Sequence, residues 1–246
     1  PLLSLAITDN NPINNVMNVT INVIETHKLN LTIVPLDNPT NYEADLSRML
    51  EFINKTYPIA DDGLIVRNGK PRNVKLFERI PFATRLLRNL ALENVLSANN
   101  QRVIGIVPLG WVDNNTLILG DGVLGYAERG FFATVIELDS NFRYLAAHEL
   151  GHTFLLCDEY SSSAWFFQDR FGVEPCPNGD LNGNGFLDNI CNDAGCPSST
   201  FGRLIPWINS NDTESNLHNF MGRGIENTAW VANDSYIQFL NEFTAP

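Results

Sequence analysis

The order of hydrophobic and polar positions predicts strands and a helix within the first sixty residues. Apolar and polar residues alternate in Val19–Val23 and in Leu29–Ile33, which is the pattern of strands that are buried on one face. In Asn41–Tyr57 the apolar residues recur at helical spacing instead, and Pro58 cannot continue a helix. We therefore expect two strands followed by a helix.

The middle of the chain repeats this succession. Short strands are predicted at Leu64–Val66 and Val74–Phe77, and a second helix is predicted at Thr84–Ala98. Val103–Val107 is a nearly continuous apolar run that is closed by Pro and Gly, as expected for a buried strand.

A pair of strands then precedes a third helix. Gly120–Ala127 and Phe131–Leu138 are separated by a short turn that contains Gly, so we expect a hairpin or an edge strand with its neighbour. The third helix is predicted over 141–152, with Asp139 or Ser140 as its N-cap.

The composition of the chain changes after residue 156. Gly, Pro, Asn, Asp and Cys dominate up to about Ser199, and a last helix is predicted at Asn233–Phe243. Alternating strands and helices followed by a loop-rich part predict an α/β fold. We expect a single domain over 1–246, with an N-terminal lobe (about 1–152) that ends in the third helix and a smaller, loop-rich C-terminal lobe (153–246).

The charge and hydrophobicity of the chain exclude some classes of binding partner. The formal net charge is −12, which repels the phosphate backbone of a nucleic acid. Hydrophobic residues make up 44% of the chain, enough for a globular core. No apolar stretch approaches the roughly 20 residues that cross a bilayer. We therefore expect a globular protein that neither binds nucleic acid nor spans a membrane.

Four cysteines, at positions 157, 176, 191 and 196, lie in the loop-rich part of the chain. Their spacing lacks the paired short intervals of a four-thiolate zinc site, so two disulfides are expected, with free thiols as the alternative. Together with several Asn-X-Ser/Thr triplets, these cysteines favour a secreted or extracytoplasmic protein.

The segment His148-Glu149-Leu150-Gly151-His152 carries the strongest chemical signal. Histidines four residues apart share one face of a helix, so both imidazoles can bind one cation. Glu149 is turned by about 100° from His148, which suits a general base acting on water better than a third ligand. Zinc prefers imidazole ligands and turns water into a nucleophile at neutral pH. The segment predicts a catalytic zinc site.

A catalytic zinc usually has a third protein ligand, and Asp158 and Glu159 are nearby candidates. On an unbroken helix Asp158 would point away from both histidines, and Glu159 would lie about 10 Å beyond His152 along the axis. The chain must therefore turn after about Phe154 if Asp158 is to fold back towards the metal.

The run His148–His152 followed by Asp158 resembles the metzincin clan of zinc endopeptidases, whose pattern is HExxHxxGxxH or, in snapalysin-like members, HExxHxxGxxD. The stretch that continues to Tyr160 also resembles the HExGH…DEY signature of the IgA-peptidase-like family. The resemblance implies Asp158 as the third zinc ligand, with Glu159 as the alternative. It also implies an N-terminal lobe with a twisted mixed sheet, two long helices and the active-site helix. Leu155 departs from the pattern, because the clan has there the Gly of a left-handed turn, a conformation that costs Leu a steric penalty.

A second segment, Asn219-Phe220-Met221-Gly222, resembles the Met-turn that lies under the metal in metzincins. Met221 would be its methionine. His218, three residues earlier, is a rival third ligand. The resemblance further implies that the edge strand that aligns the substrate lies at Gly122–Tyr126.

The acidic loop over 180–188 resembles the first nine positions of an EF-hand-type calcium loop. Gly185 stands at the sixth position, where the loop bends sharply. The twelfth position holds Cys191 instead of Glu, and Asp193 is a possible substitute. We expect a structural calcium ion bound by Asp180, Asn182, Asn184, the carbonyl group of Phe186, and Asp188.

Together these motifs predict a secreted zinc-dependent metalloendopeptidase. Its single catalytic domain would hydrolyse peptide or protein substrates through a metal-activated water, with Glu149 as general base. The alternative from another class is a non-catalytic, calcium-stabilised surface or adhesion module with a vestigial metal site. A zinc hydrolase that acts on a non-peptide amide is a third reading. Glu149 favours catalysis, since zinc binding alone does not require it.

Overall fold

A computed structural model describes the parts of the chain that build the sheet and the helix with the two histidines. The residues described are 25–79, 84–94, 101–112, 124–138, 142–156, 218–221, 229–231 and 233–244. No helix in these ranges is long and apolar enough to cross a membrane.

Helices and strands alternate along the described ranges. The helices are α1 (Glu43–Thr56), α2 (Leu76–Arg79), α3 (Thr84–Asn94), α4 (Leu145–Thr153) and α5 (Asn233–Thr244). The strands are β1 (Leu29–Pro35), β2 (Leu64–Asn68), β3 (Gln101–Val107), β4 (Gly125–Ala127), β5 (Ala133–Glu137), β6 (His218–Asn219) and β7 (Ala229–Trp230).

Five of these strands form one mixed sheet in the order β2-β1-β3-β5-β4. The first four strands in this order run parallel, whereas β4 pairs antiparallel with β5 and forms an edge. All five residues of β5 are buried, as are six of the seven residues of β3. A parallel strand covered on both faces needs such an apolar run, so the mixed α/β class predicted from the sequence is confirmed.

Helices cover both faces of the sheet. Helices α1 and α4 pack on the face of β1 that carries Leu31 and Ile33. Helix α3 packs on the opposite face, with Val34 of β1 and Val103 of β3. Successive strand residues point to opposite faces, so β1 contributes to two separate cores.

The C-terminal segments join the core that contains α1 and α4. The rings of Tyr57 at the end of α1 and Phe239 of α5 are stacked, with centroids 4.1 Å apart. Phe220 lies parallel to Phe239 at 6.0 Å, and Phe243 packs against Phe154 at 5.3 Å. Residues from beyond position 217 therefore complete the core beneath the helix that carries the two histidines.

Several predicted elements are confirmed. The helices predicted at Asn41–Tyr57 and Asn233–Phe243 correspond to α1 and α5, and the hairpin corresponds to β4 and β5. The helix predicted at Thr84–Ala98 corresponds to α3, and its last four predicted positions lie outside the described residues. The strand predicted at Val19–Val23 also lies outside them.

The strand predicted at Val74–Phe77 is wrong. Residues Leu76–Arg79 form the short helix α2, in which the carboxylate of Glu78 accepts a hydrogen bond from the N–H of Lys75 at 2.8 Å. This side-chain cap favours a helical turn over a strand. Leu76 and Phe77 are 75% and 53% exposed, so their apolar character does not reflect burial in a sheet.

The start predicted for the third helix is also wrong. Helix α4 begins at Leu145, and its N-cap residue, Tyr144, makes no side-chain capping hydrogen bond. A turn in which the N–H of Leu145 donates to the carbonyl of Phe142 at 3.0 Å precedes it. The capping residues predicted for a helix over 141–152, Asp139 and Ser140, lie outside the described residues.

Candidate metal centre

Helix α4 is buried along almost its whole length, which fixes the histidines that it carries. His148 and Glu149 are only 5% and 6% exposed, and His152 is partly exposed. The hydroxyl of Tyr57 donates to the carbonyl of Ala147 at 2.9 Å and thereby ties the end of α1 to the helix. Burial raises the pKa of the Tyr57 hydroxyl well above its ordinary value, so it donates as a neutral phenol.

The two imidazole rings lie close together, as the spacing of four residues predicts. Their centroids are 5.0 Å apart and their planes are nearly perpendicular, at 89°. Nδ1 of His148 lies 2.8 Å from the carbonyl oxygen of Phe220, and Nδ1 of His152 lies 2.9 Å from that of Leu156. A carbonyl oxygen can only accept, so in each ring Nδ1 is the donor, and in the neutral ring the lone pair is on Nε2. Metal-binding histidines are commonly oriented by this type of hydrogen bond.

The side chain of Glu149 packs against the backbone of Gly125 in the edge strand β4. A Cβ atom at residue 125 would lie 2.5 Å from Oε1 and 2.7 Å from Cδ of Glu149. Glycine in a strand often marks such a close approach. The general base predicted from the sequence therefore lies directly beside the edge of the sheet.

A left-handed turn at Leu155 ends helix α4. Leu155 has φ +71°, although it has a side chain. The N–H of Leu156 donates to the carbonyl of Gly151, and the N–H of Leu155 donates to that of His152, each at 3.0 Å. This pair of bonds is the Schellman arrangement, which usually has Gly at the left-handed position. The chain therefore turns after Phe154, as it must if Asp158 is to fold back towards the histidines.

Arg102 also contacts the C-terminal end of helix α4. Its Nε donates to Thr153 Oγ1 at 2.9 Å, and its guanidinium group lies 4.0 Å from the ring centroid of Phe154. Burial lowers the pKa of Arg102 to about 10, which still leaves it protonated at neutral pH. A cation at the C-terminus of a helix interacts favourably with the helix dipole.

Met221 lies against the helix between the two histidines. A Cβ atom at Gly151 would lie 2.6 Å from Sδ of Met221, and Met221 is fully buried. The structure thus brings the predicted Met-turn segment to α4, at the one residue of the motif that has no side chain.

The remaining predicted ligands belong to other parts of the chain. Asp158, Glu159 and the calcium residues (Asp180, Asn182, Asn184, Phe186 and Asp188) lie outside the described residues, as does the side chain of His218. In the part of the chain that is described, no group of three His, Cys, Asp or Glu side chains could hold a metal ion. Two oriented imidazoles nevertheless fit zinc as a partial ligand set.

Sequence reasoning missed the groups that hold the two histidines and Glu149. The carbonyls of Phe220 and Leu156 carry no side-chain signal, and Tyr57 is one of several aromatic residues in the chain. Gly125 had a usable signal, since a glycine inside a predicted strand can mark a close backbone approach.

No protein-family model matches the chain, and no curated protein matches it. Solved structures with some similarity include archaemetzincin from Methanopyrus kandleri, with 19% identity, a TM-score of 0.39, and coverage of 58% of this chain and 86% of that one. Metalloproteinase-II from Bacteroides fragilis has 12% identity, a TM-score of 0.39, and coverage of 95% and 59%. A chaperone–substrate complex has 12% identity, a TM-score of 0.38, and coverage of 89% and 34%. This chain thus spans only about a third of the chain in that complex. At these scores the similarities establish neither a family nor an activity.

Proposed function

We propose that this protein is a secreted zinc-dependent metalloendopeptidase. The observation that carries the proposal is the arrangement of His148, Glu149 and His152 on α4: two adjacent imidazoles with their Nδ1 atoms on backbone carbonyls, and a carboxylate at the edge strand. A site that only stores a metal does not need the carboxylate, whereas hydrolysis needs a proton acceptor near the water.

His148 and His152 would hold the zinc, with Asp158 as the third ligand and Met221 beneath the site. The left-handed turn at Leu155 supports this ligand set, because it redirects the chain at the position where the metzincin pattern requires it. Bound zinc supplies Lewis acidity that polarises the scissile carbonyl group and acidifies water.

The residues of the chain would handle the substrate and the proton. The outer edge of β4 can pair with an extended peptide through main-chain hydrogen bonds, next to Glu149. Glu149 would accept a proton from the water while the oxygen of the water bonds to the carbonyl carbon. It would then deliver that proton to the amide nitrogen as the C–N bond breaks, which leaves a carboxylic acid and an amine.

A calcium ion bound by the loop over 180–188 and a pair of disulfides belong to the same proposal. Both would stabilise a segment that has little apolar content of its own. Elemental analysis of the purified protein measures calcium and zinc together.

The test compares metal content and cleavage in three proteins. We expect about one zinc per chain in the wild type and in Glu149→Gln, and loss of zinc in His152→Ala. Casein cleavage should fall by about 100-fold or more in Glu149→Gln, because the general base is removed while the ligands remain. A chelator should abolish the activity of the wild type.

The alternative functions predict other results. Zinc binding without cleavage of casein or of a peptide library would favour the adhesion module or the hydrolase of a non-peptide amide over the endopeptidase. Unchanged turnover in Glu149→Gln would remove Glu149 from the mechanism. A wild type without zinc would refute the proposal as a whole.

A further inference from the structure

We propose that the turn between β4 and β5 positions His152 for metal binding, with Arg129 as the positioning residue. The inference deepens the proposed function, because it names a residue outside the motif that sets the geometry of a ligand. It depends on contacts among four short segments, all within the described residues.

The turn itself is well anchored. The N–H of Phe131 donates to the carbonyl of Glu128 at 3.1 Å, and Gly130 between them has φ +74°, as a type II turn requires at its third position. The carboxylate of Glu128 accepts hydrogen bonds from the hydroxyl of Tyr126, at 2.8 Å, and from that of Thr84. The turn is thereby fixed to β4 and to the start of α3.

Two hydrogen bonds connect this turn to the end of α4. The N–H of Gly130 donates to the carbonyl of His152 at 3.1 Å, and Nε of Arg129 donates to the carbonyl of Leu155 at 3.0 Å. His152 belongs to the last turn of the helix, and Leu155 lies two residues beyond its end. The guanidinium group also places a positive charge at the negative end of the helix dipole.

Leu155, whose carbonyl group accepts the bond from Arg129, has a backbone conformation that leucine rarely adopts. Leu155 has φ +71°, a region in which a side chain is disfavoured, so its neighbours must maintain it. Gly130 leaves room for it, since a Cβ atom there would lie 3.3 Å from Cδ2 of Leu155. Arg129 and Gly130 therefore compensate for the absence of glycine at position 155.

The conformation of Leu155 decides where the next carbonyl group lies. The carbonyl oxygen of Leu156 lies 2.9 Å from Nδ1 of His152, and this contact sets the tautomer and the ring orientation. If residue 155 left the left-handed region, the peptide that follows would rotate and Nδ1 would lose its acceptor. Arg129 thus acts on His152 through two backbone groups.

The test uses four variants and two measurements. Arg129→Ala removes the bond to Leu155, and Arg129→Lys keeps a donor of the same charge. Arg129→Ala combined with Leu155→Gly removes the same bond but places at position 155 a glycine, which adopts the left-handed conformation without support. Arg88→Ala is the control, because it removes a positive charge from an exposed position of α3 on the other side of the sheet.

The first measurement is the zinc dissociation constant, by competition with a chromophoric chelator. We expect Arg129→Ala to bind zinc about tenfold more weakly, since an outer-shell partner is lost. Arg129→Lys should recover part of this affinity, and the double variant should recover most of it. Arg88→Ala should match the wild type.

The second measurement is the tautomer of His152 in the metal-free protein, from ¹⁵N chemical shifts at a pH well above the ordinary histidine pKa. The wild type should hold the Nδ1–H form, and Arg129→Ala should be a mixture of tautomers. Circular dichroism shows whether each variant is folded. This readout remains valid even if the wild type fails to bind zinc, so the inference and the proposed function can fail separately. Unchanged affinity and an unchanged tautomer in folded Arg129→Ala would overturn the inference, as would failure of Leu155→Gly to restore them.

Discussion

The carboxylate of Glu149 and the backbone of Gly125 pack so closely that residue 125 has no space for a side chain. Two different requirements meet at this point. Under the proposed function, Glu149 would have to be held firmly to transfer a proton, and β4 would have to keep its outer edge open to an extended peptide. A glycine meets both requirements, because the carboxylate can lie against bare backbone and the strand keeps its extended form.

We expect Gly125→Ala to lower peptide turnover by about 100-fold, because the added methyl group must displace the carboxylate of Glu149 by roughly 1 Å. Zinc content should not change, because the groups that orient the two imidazoles are the carbonyls of Phe220 and Leu156 and not residue 125. Steady-state kinetics together with elemental analysis check this prediction. Ala127→Ser, on the same face of the same strand, is the control and should retain turnover. Full activity in Gly125→Ala would show that the carboxylate can move without effect.

The sequence predicted local contacts of the site residues but not their contacts with residues far along the chain. The spacing of His148 and His152 predicted their proximity, because four residues make about one helical turn and the contact is local. The carbonyl that orients His148 comes from Phe220, 72 residues away, and no side-chain pattern reports a contact between backbone and ring. The resemblance to the metzincin pattern implied a left-handed turn at residue 155, but no sequence pattern indicated that Arg129 and Gly130 contact Leu155 in that turn.

At the scale of elements, α4 is held between α1, the sheet and the C-terminal segments. Tyr57, at the C-terminal end of α1, donates to the carbonyl of Ala147 and stacks on Phe239 of α5. One side chain thus connects three helices. Because Ala147 immediately precedes His148, this connection fixes the helix close to the two histidines.

We expect Tyr57→Phe to lower the free energy of unfolding by about 1 kcal/mol, the typical value for one intramolecular hydrogen bond. The ring stacking should be retained, because the phenyl ring is unchanged. Urea denaturation of the two proteins measures the difference. Tyr236→Phe removes a hydroxyl from an exposed position of α5 and should change the free energy by less than about 0.5 kcal/mol. Equal values for both variants would contradict a special role for Tyr57.

Most helices and strands were predictable from the distribution of apolar residues. Helices α1 and α5 follow from apolar residues at helical spacing, β1 from alternation, and β3 from a nearly continuous apolar run. Helix α2 has only four residues and depends on the cap that Glu78 provides. The three apolar residues among positions 74–77 suggested a strand instead. Helix α4 starts after a turn at Phe142–Leu145. The sequence has typical capping residues a few positions earlier, so the predicted start of the helix was too early.

At the scale of the whole molecule, a buried carboxylate joins three parts of the face that α3 covers. Glu78 is 1% exposed and accepts hydrogen bonds from both terminal nitrogens of Arg72, from the N–H of Lys75 and from the side chain of Asn89. Burial raises the pKa of the Glu78 carboxyl, but the hydrogen bonds and the charge of Arg72 outweigh this effect and leave it below the ordinary value of 4.5.

A lowered pKa in the folded state makes stability depend on pH. The contribution of ionised Glu78 is fully present above about pH 4.5 and is lost as the pH falls through the folded-state pKa. We expect Glu78→Gln to cost about 2 kcal/mol at neutral pH, with the difference from the wild type shrinking below pH 4.5. Denaturation curves over a pH series test this expectation. Glu51→Gln, which removes an exposed ion pair with Lys55, should show little difference at any pH. A constant difference for Glu78→Gln down to strongly acidic pH would contradict the assignment.

The hydrogen bond between His148 and the carbonyl of Phe220 has a consequence for protein synthesis. When the ribosome has just released His148 and His152 from its exit tunnel, the group that orients His148 has not yet been translated. The stacked aromatic residues of α5 emerge later still. A nascent chain therefore carries His148 for some time without the carbonyl group that orients it. Under the proposed function, we expect little cleavage of neighbouring chains before the C-terminal part of the protein has docked.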